Sequence, residues 1–215
     1  MPGVWQVWLR YFLVWPGLPA IGDPTTADCV IVQAFGRNSC LDSRLSEIST
    51  RAQKRSDWQL VQELLAEGFS PGQPNFVLAY ECMEAMNKFG LPTIVQWEVA
   101  CAFPPEWYEK NHQKVICLWP PSSGYFSTRQ VSLATLEVCR ERGWLRVIEI
   151  AHKRMIARSA LIVHKLWDGQ MPVILFPQLT KSFDRKSVQL WTKSWYWWIF
   201  REAIGRIHHL VLRWV

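Results

Sequence analysis

Short apolar runs alternate along this chain with longer stretches whose apolar residues recur every three or four positions. The runs are 28–33 (DCVIVQ), 92–97 (PTIVQW), 114–119 (KVICLW), 145–150 (LRVIEI) and 171–176 (MPVILF). Each is short, rich in Val and Ile and nearly continuous in apolar character, as strands buried on both faces are. The periodic stretches read as helices. Residues 57–67 open on Asp57, suited to the N-cap, and stop at Gly68. Within 75–89, Leu78, Cys82, Ala85, Met86 and Phe89 share one helical face, and Gly90 follows. Residues 128–142 are framed by Ser127 and Gly143, and 153–167 put Ile156, Ala160, Val163, His164 and Trp167 on one stripe. A last helix is expected from about 188 to 213.

Strand–helix–strand repetition at this spacing predicts right-handed crossovers and a mainly parallel sheet. The expected fold is α/β: a three-layer sandwich with a Rossmann-like sheet of about five strands and a long C-terminal helix. Residues 1–22 form an apolar N-terminal segment, 23–187 the α/β domain, and 188–215 an amphipathic helix packed on it. Residues 37–74 are the least regular part. There Arg44, Arg51, Lys54 and Arg55 interleave with Leu45, Ile48 and Ala52, which suggests one exposed helix before 57, and Ser70-Pro71-Gly72-Gln73-Pro74 is a turn by composition.

Composition agrees with one ordered domain. Of 215 residues, 49% are hydrophobic and 20% charged, which excludes disorder of the whole chain, and 14 are Trp. No apolar run reaches the length of a spanning helix. The charge is uneven: residues 1–98 carry 7 Lys and Arg against 10 Asp and Glu, and residues 99–215 carry 17 against 8. A basic second half attracts phosphate groups or an anionic surface, or simply keeps a tryptophan-rich chain soluble. The cysteines form no C-x-x-C pair or zinc spacing, and several lie in apolar runs, so a reducing, cytoplasmic setting without a metal site is expected.

The N-terminal segment is apolar but interrupted by Gln6 and Arg10, and it does not read as a signal peptide. Either it packs over its own domain or it lies at a membrane interface.

In an open parallel sheet, ligands bind beyond the carboxyl ends of the strands. That rule selects Gly36, Arg37 and Asn38 after the first run, Glu98 after the second, and His152 and Arg154 after the fourth. Ser127 with Gln130 is a capping box, and its helix start either holds an anion on Ser127 and Thr128, with Arg129 adding charge, or is simply a well-capped helix. Arg154 and Arg158, four residues apart, face one side and would clamp a phosphate or a carboxylate, or form a solvated basic face. His152 is a candidate acid or base near neutral pH, and Glu98 a candidate base. In the last helix, Trp191, Trp195, Trp198 and Glu202 fall on one stripe, with Glu202 expected as a buried latch. Gly-rich phosphate loops, a G-x-S-x-G elbow, H-E-x-x-H and nucleic-acid-reading motifs are missing from the sequence, so sequence-specific nucleic-acid binding is unsupported.

The order of these pieces resembles the SanA/YdcF/ElyC-like family of bacterial α/β proteins, a domain of unknown function. The likeness rests on 28–36 (DCVIVQAFG) as the opening strand and turn, Ser127-Thr128-Arg129-Gln130 as the Ser/Thr-rich helix start, and 154–160 (RMIARSA) as the His-x-x-Arg-Ala stretch. The ending Trp198-Ile199-Phe200-Arg201-Glu202-Ala203 is similar to the family's terminal Arg-Glu helix. Ala34 and Phe35 stand where glycines are usual, Gln130-Val131 replaces Glu-Asn, and Met155 stands at the His position with Arg158 kept.

The resemblance implies a cleft for a small anionic ligand, with a nucleotide or S-adenosylmethionine as the cofactor class. The substitutions leave two expectations. One is a ligand-binding protein, with or without an enzymatic reaction that the sequence leaves unstated. The other is a chain that kept the fold, lost the activity and contacts a protein or a membrane periphery through its Trp-rich termini.

Overall fold

The structure is a computed structural model. It describes residues 23–36, 44–121, 126–152, 154–156, 159, 162–163, 166, 173–175, 183–187 and 189–211, with side chains of the last helix described as far as Ile204. The chain begins its sheet with β1 (Cys29–Val32), which is buried at every position. β2 (Thr93–Gln96) and β4 (Val147–Ile150) flank it, and β3 (Val115–Leu118) pairs with β2, all parallel. The short β5 (Val173–Leu175) pairs with β4, giving the order β3-β2-β1-β4-β5.

Alternation along the strands divides the core in two. Val30, Val32, Val95, Cys117, Ile148 and Ile150 face one side. There they meet α1 (Leu45–Ala52), α2 (Asp57–Ala66) and α3 (Gln73–Phe89) through side chains such as Ile48, Leu60 and Leu78. Two further helices, α4 (Trp97–Ala100) and α5 (Pro105–Asn111), pack on the same side through Trp97 and Tyr108. Cys29, Ile31, Ile94, Leu118 and Val147 face the other side and meet Val131, Leu136 and Cys139 of α6 (Thr128–Arg142), together with the helical residue Val163. Full burial of each Val or Ile contributes about 1.5–3 kcal/mol, so a polar substitution at Ile31 or Ile148 would break the sandwich.

One helix start departs from the expected cap. Ser56, not Asp57, caps α2, in a reciprocal box with Gln59. Asp57 is thereby free to reach β3, where its carboxylate accepts from Cys117 N at 3.0 Å and Trp119 Nε1 at 2.7 Å. Arg44 and Arg51 are tied into a surface network: Arg51 meets Glu63 at 2.6 Å and Glu67 at 2.9 Å, and Arg44 meets Glu67 at 3.0 Å. At the other edge of the domain, Asp28 accepts from the backbone N–H groups of Leu145 and Arg146 at 2.7 and 2.8 Å, joining the start of β1 to the entry of β4.

The last helix, α7 (Trp195–Val211), starts later than its periodicity predicts. Residues 190–192 form a tight turn instead, held by the Thr192 hydroxyl, which donates to Ser187 Oγ at 2.6 Å. Trp198 and Glu202 are buried against the domain, whereas Trp195 is substantially exposed and Trp191 lies outside the helix under Arg201. No helix among the described residues is long and apolar enough to cross a membrane.

Candidate functional site

Neighbours in the sheet, β1 and β4 send the chain in opposite directions: β1 continues to β2 and β4 to β5. The crossover after β1 runs over the α1–α3 face, and Ser159 and Val163 carry the chain after β4 over the α6 face. In open parallel sheets the carboxyl ends beside such a divergence are the usual ligand position.

One wall of this region is polar and buried. Gln33 leaves β1 and its Nε2 donates to Glu149 Oε1 at 3.1 Å, crossing from β1 to β4. The Ser159 hydroxyl donates to the same oxygen, and Oε2 has no hydrogen-bond partner among the described residues. Burial pushes the Glu149 carboxyl up to about 8, the Ser159 hydroxyl pulling in the other direction. At neutral pH the group therefore mostly holds its proton. With Oε1 already accepting two donors, that proton belongs on Oε2.

The other wall is aromatic. Phe35 stacks on His152 at 3.7 Å between ring centroids and 9° between planes, and Phe183 meets both rings edge-on. Asn75, at the start of α3, holds the Phe35 turn: its Oδ1 accepts from Phe35 N at 2.9 Å, and its Nδ2 donates to Gly36 O at 2.6 Å and Pro71 O at 2.5 Å. Gln96 supplies the neighbouring support, accepting from Ala34 N at 3.1 Å. Gly36 has φ 77°, and a Cβ there would lie 2.6 Å from Thr192 Oγ1 and 2.9 Å from Ser187 Oγ. Only a glycine lets the 187–192 turn settle on this loop.

The expected site residues divide among these surroundings. His152 is fully buried between the rings, and its Nδ1 accepts from Arg154 N at 3.3 Å. Glu98 is buried in the first turn of α4, where its charge helps burial to raise the thiols of Cys101 and Cys117. Gly36 is enclosed beneath Thr192. Ser127 caps α6 in the capping box read from the sequence, with Gln130 N donating to its hydroxyl at 3.3 Å and its own N–H donating to Gln130 Oε1 at 2.9 Å. Thr128 is half-buried, Arg129 exposed and Arg154 half-buried. Arg37, Asn38 and Arg158 lie outside the described residues.

The start of α6 follows β3 and the helical stretch through Ser159 follows β4, so both begin at the carboxyl edge, with β2 and β1 between those two strands. Met155 and Ile156 of that stretch pack in the core that α6 does not share, and Glu98 likewise lies on the face opposite α6. Sequence reasoning missed Gln33, Asn75, Glu149 and Ser159 as site residues. Two of them carried a signal: Gln33 and Glu149 are polar side chains at positions of apolar runs where both faces are covered. Comparison with family models, with curated proteins and with solved structures finds no match.

Proposed function

We propose that this chain binds a small anionic ligand, nucleotide-like or S-adenosylmethionine-like, at the carboxyl edge of its sheet. One observation carries the reading: the buried Gln33–Glu149–Ser159 link spans the switch point between β1 and β4, where an apolar contact would serve packing as well. Ser127, Thr128 and Arg129 meet the anion at the start of α6, where backbone N–H groups and the helix dipole favour negative charge. Arg154 and Arg158 supply further positive charge after β4. Glu149 acts from below as a positioning residue. Its neutral carboxyl orients Gln33 and Ser159 without adding a negative charge that would repel the ligand.

This is the function that the likeness to the SanA/YdcF/ElyC-like family implies, and the Rossmann-like parallel sheet supports it. The buried free thiols of Cys29, Cys82, Cys101, Cys117 and Cys139 support a reducing, cytoplasmic setting. No reaction is assigned.

Thermal melts with ATP, AMP and S-adenosylmethionine test the reading. A ligand at about one hundred times its Kd stabilises by about 2.7 kcal/mol, a rise of about 5–11 °C for a domain of this size. Arg129→Ala and Arg158→Ala are expected to abolish the rise. Melts that none of the three compounds moves overturn the proposal.

A further inference from the structure

We propose that the outer face of α7 docks on the surface of an anionic lipid bilayer. The helix has two apolar sides, and the domain uses one. Trp198 and Glu202 are buried against the body. On the opposite side, Tyr196, Phe200 and Ile204 follow one another at four-residue spacing with Trp197 beside them. These side chains stay open to solvent, Tyr196 at 68% and Phe200 at 63% exposure. Leu190, in the turn before the helix, is exposed as well. A contiguous aromatic and aliphatic surface of this kind marks a contact site.

Charge selects the occupant. Residues 185–213 contain Arg185, Lys186, Lys193, Arg201, Arg206 and Arg213 against a single carboxylate, Glu202, which is buried. Arg201 lies over the Trp191 ring at 5.5 Å, so a cation and an indole stand together at the border of the apolar face. Trp and Tyr rings flanked by Lys and Arg suit the headgroup region, where the rings enter the acyl boundary and the cations meet lipid phosphates. Pairing with a second copy would instead bring like charges together. The helix lies in the interface rather than through it, consistent with the lack of a spanning helix among the described residues.

Flotation of the full chain with vesicles tests this inference independently of the ligand site. The two preparations are pure phosphatidylcholine and phosphatidylcholine with roughly 30% phosphatidylglycerol. The chain is expected to float with the anionic vesicles at low salt, at least about tenfold more weakly with neutral ones, and to detach as salt rises to about 0.5 M. Lys193→Gln and Arg201→Gln each lower partition about fivefold. Phe200→Ser with Ile204→Ser abolishes it while leaving the melting temperature in place, because both side chains are exposed. Three results overturn the proposal: no flotation with anionic vesicles, flotation that the Phe200→Ser, Ile204→Ser chain retains, or a solution dimer that this pair of substitutions splits.

Discussion

Gln33 and Glu149 touch across the division between β1 and β4, amide Nε2 to carboxyl Oε1 at 3.1 Å, with 116 residues of chain between them. The contact joins the two strands from which the crossovers diverge, and it places a titratable group where water does not reach.

That group makes stability depend on pH in a stated direction. Burial raises the folded carboxyl from 4.5 to about 8, so between those values the folded chain retains a proton that the unfolded chain releases. Its contribution is fully present below about pH 4.5 and is lost as pH rises toward 8, with a slope of at most about 1.4 kcal/mol per pH unit. Glu149→Gln removes this slope. Urea unfolding at about pH 5 and about pH 7.5 is expected to show the Gln variant gaining about 2–3 kcal/mol on the native chain at the higher pH. An equal difference at both pH values would contradict a buried, protonated Glu149.

Gly36→Ala is expected to destabilise the domain by about 2–4 kcal/mol. The change combines a side chain in left-handed backbone with overlap against the 187–192 turn. Part of the loss comes from Thr192, so Gly36→Ala in a Thr192→Ala background should cost about 1 kcal/mol less. A double-mutant cycle by chemical denaturation measures the coupling, and additive losses would place the strain elsewhere.

Asn75→Ala strips partners from Phe35 N, Gly36 O and Pro71 O at once. Buried backbone groups left without partners put the loss at about 3 kcal/mol, a fall in Tm of about 6–12 °C. Asn75→Asp should be no better, because an ionised carboxylate cannot donate to the two carbonyls. Calorimetry on the three proteins decides the point.

The thiols of Cys82, Cys101 and Cys117 are fully buried and shifted upward, Cys82 to about 12. They should resist alkylation at neutral pH in the folded chain and react promptly in denaturant. Mass spectrometry after timed iodoacetamide treatment reads both states. Rapid native labelling at any of the three would mean that the core opens far more readily than its packing implies.

Much of the fold was legible because the strands are buried on both faces. Runs such as DCVIVQ and KVICLW are short, rich in Val and Ile and apolar throughout, which favours buried strands, and parallel pairing follows from the helices between them. Helix ends at Gly90 and Gly143 were equally plain, as was the capping box at Ser127. The start of α7 was not, since Leu190, Trp191 and Trp195 fit a helical period while side-chain bonds among Ser187, Gln189 and Thr192 hold a turn. The site was legible only by position. Spacing cannot report that Phe35 and His152 close on each other, nor that Asn75 reaches back to the Gly36 loop, because each contact joins residues far apart in sequence that only the packed sheet brings together.

The tether from Asp28 to the backbone of Leu145 and Arg146, together with the pairing of β1 and β4, also governs the order of events during synthesis. Strands one to three can assemble once residue 118 has left the ribosome, but one flank of β1 then waits without a partner until residue 150 emerges. An unpaired, wholly apolar strand flank invites association with other nascent chains. Slow translation between these points prolongs that exposure, and a chaperone acting on this chain would find its substrate in that interval.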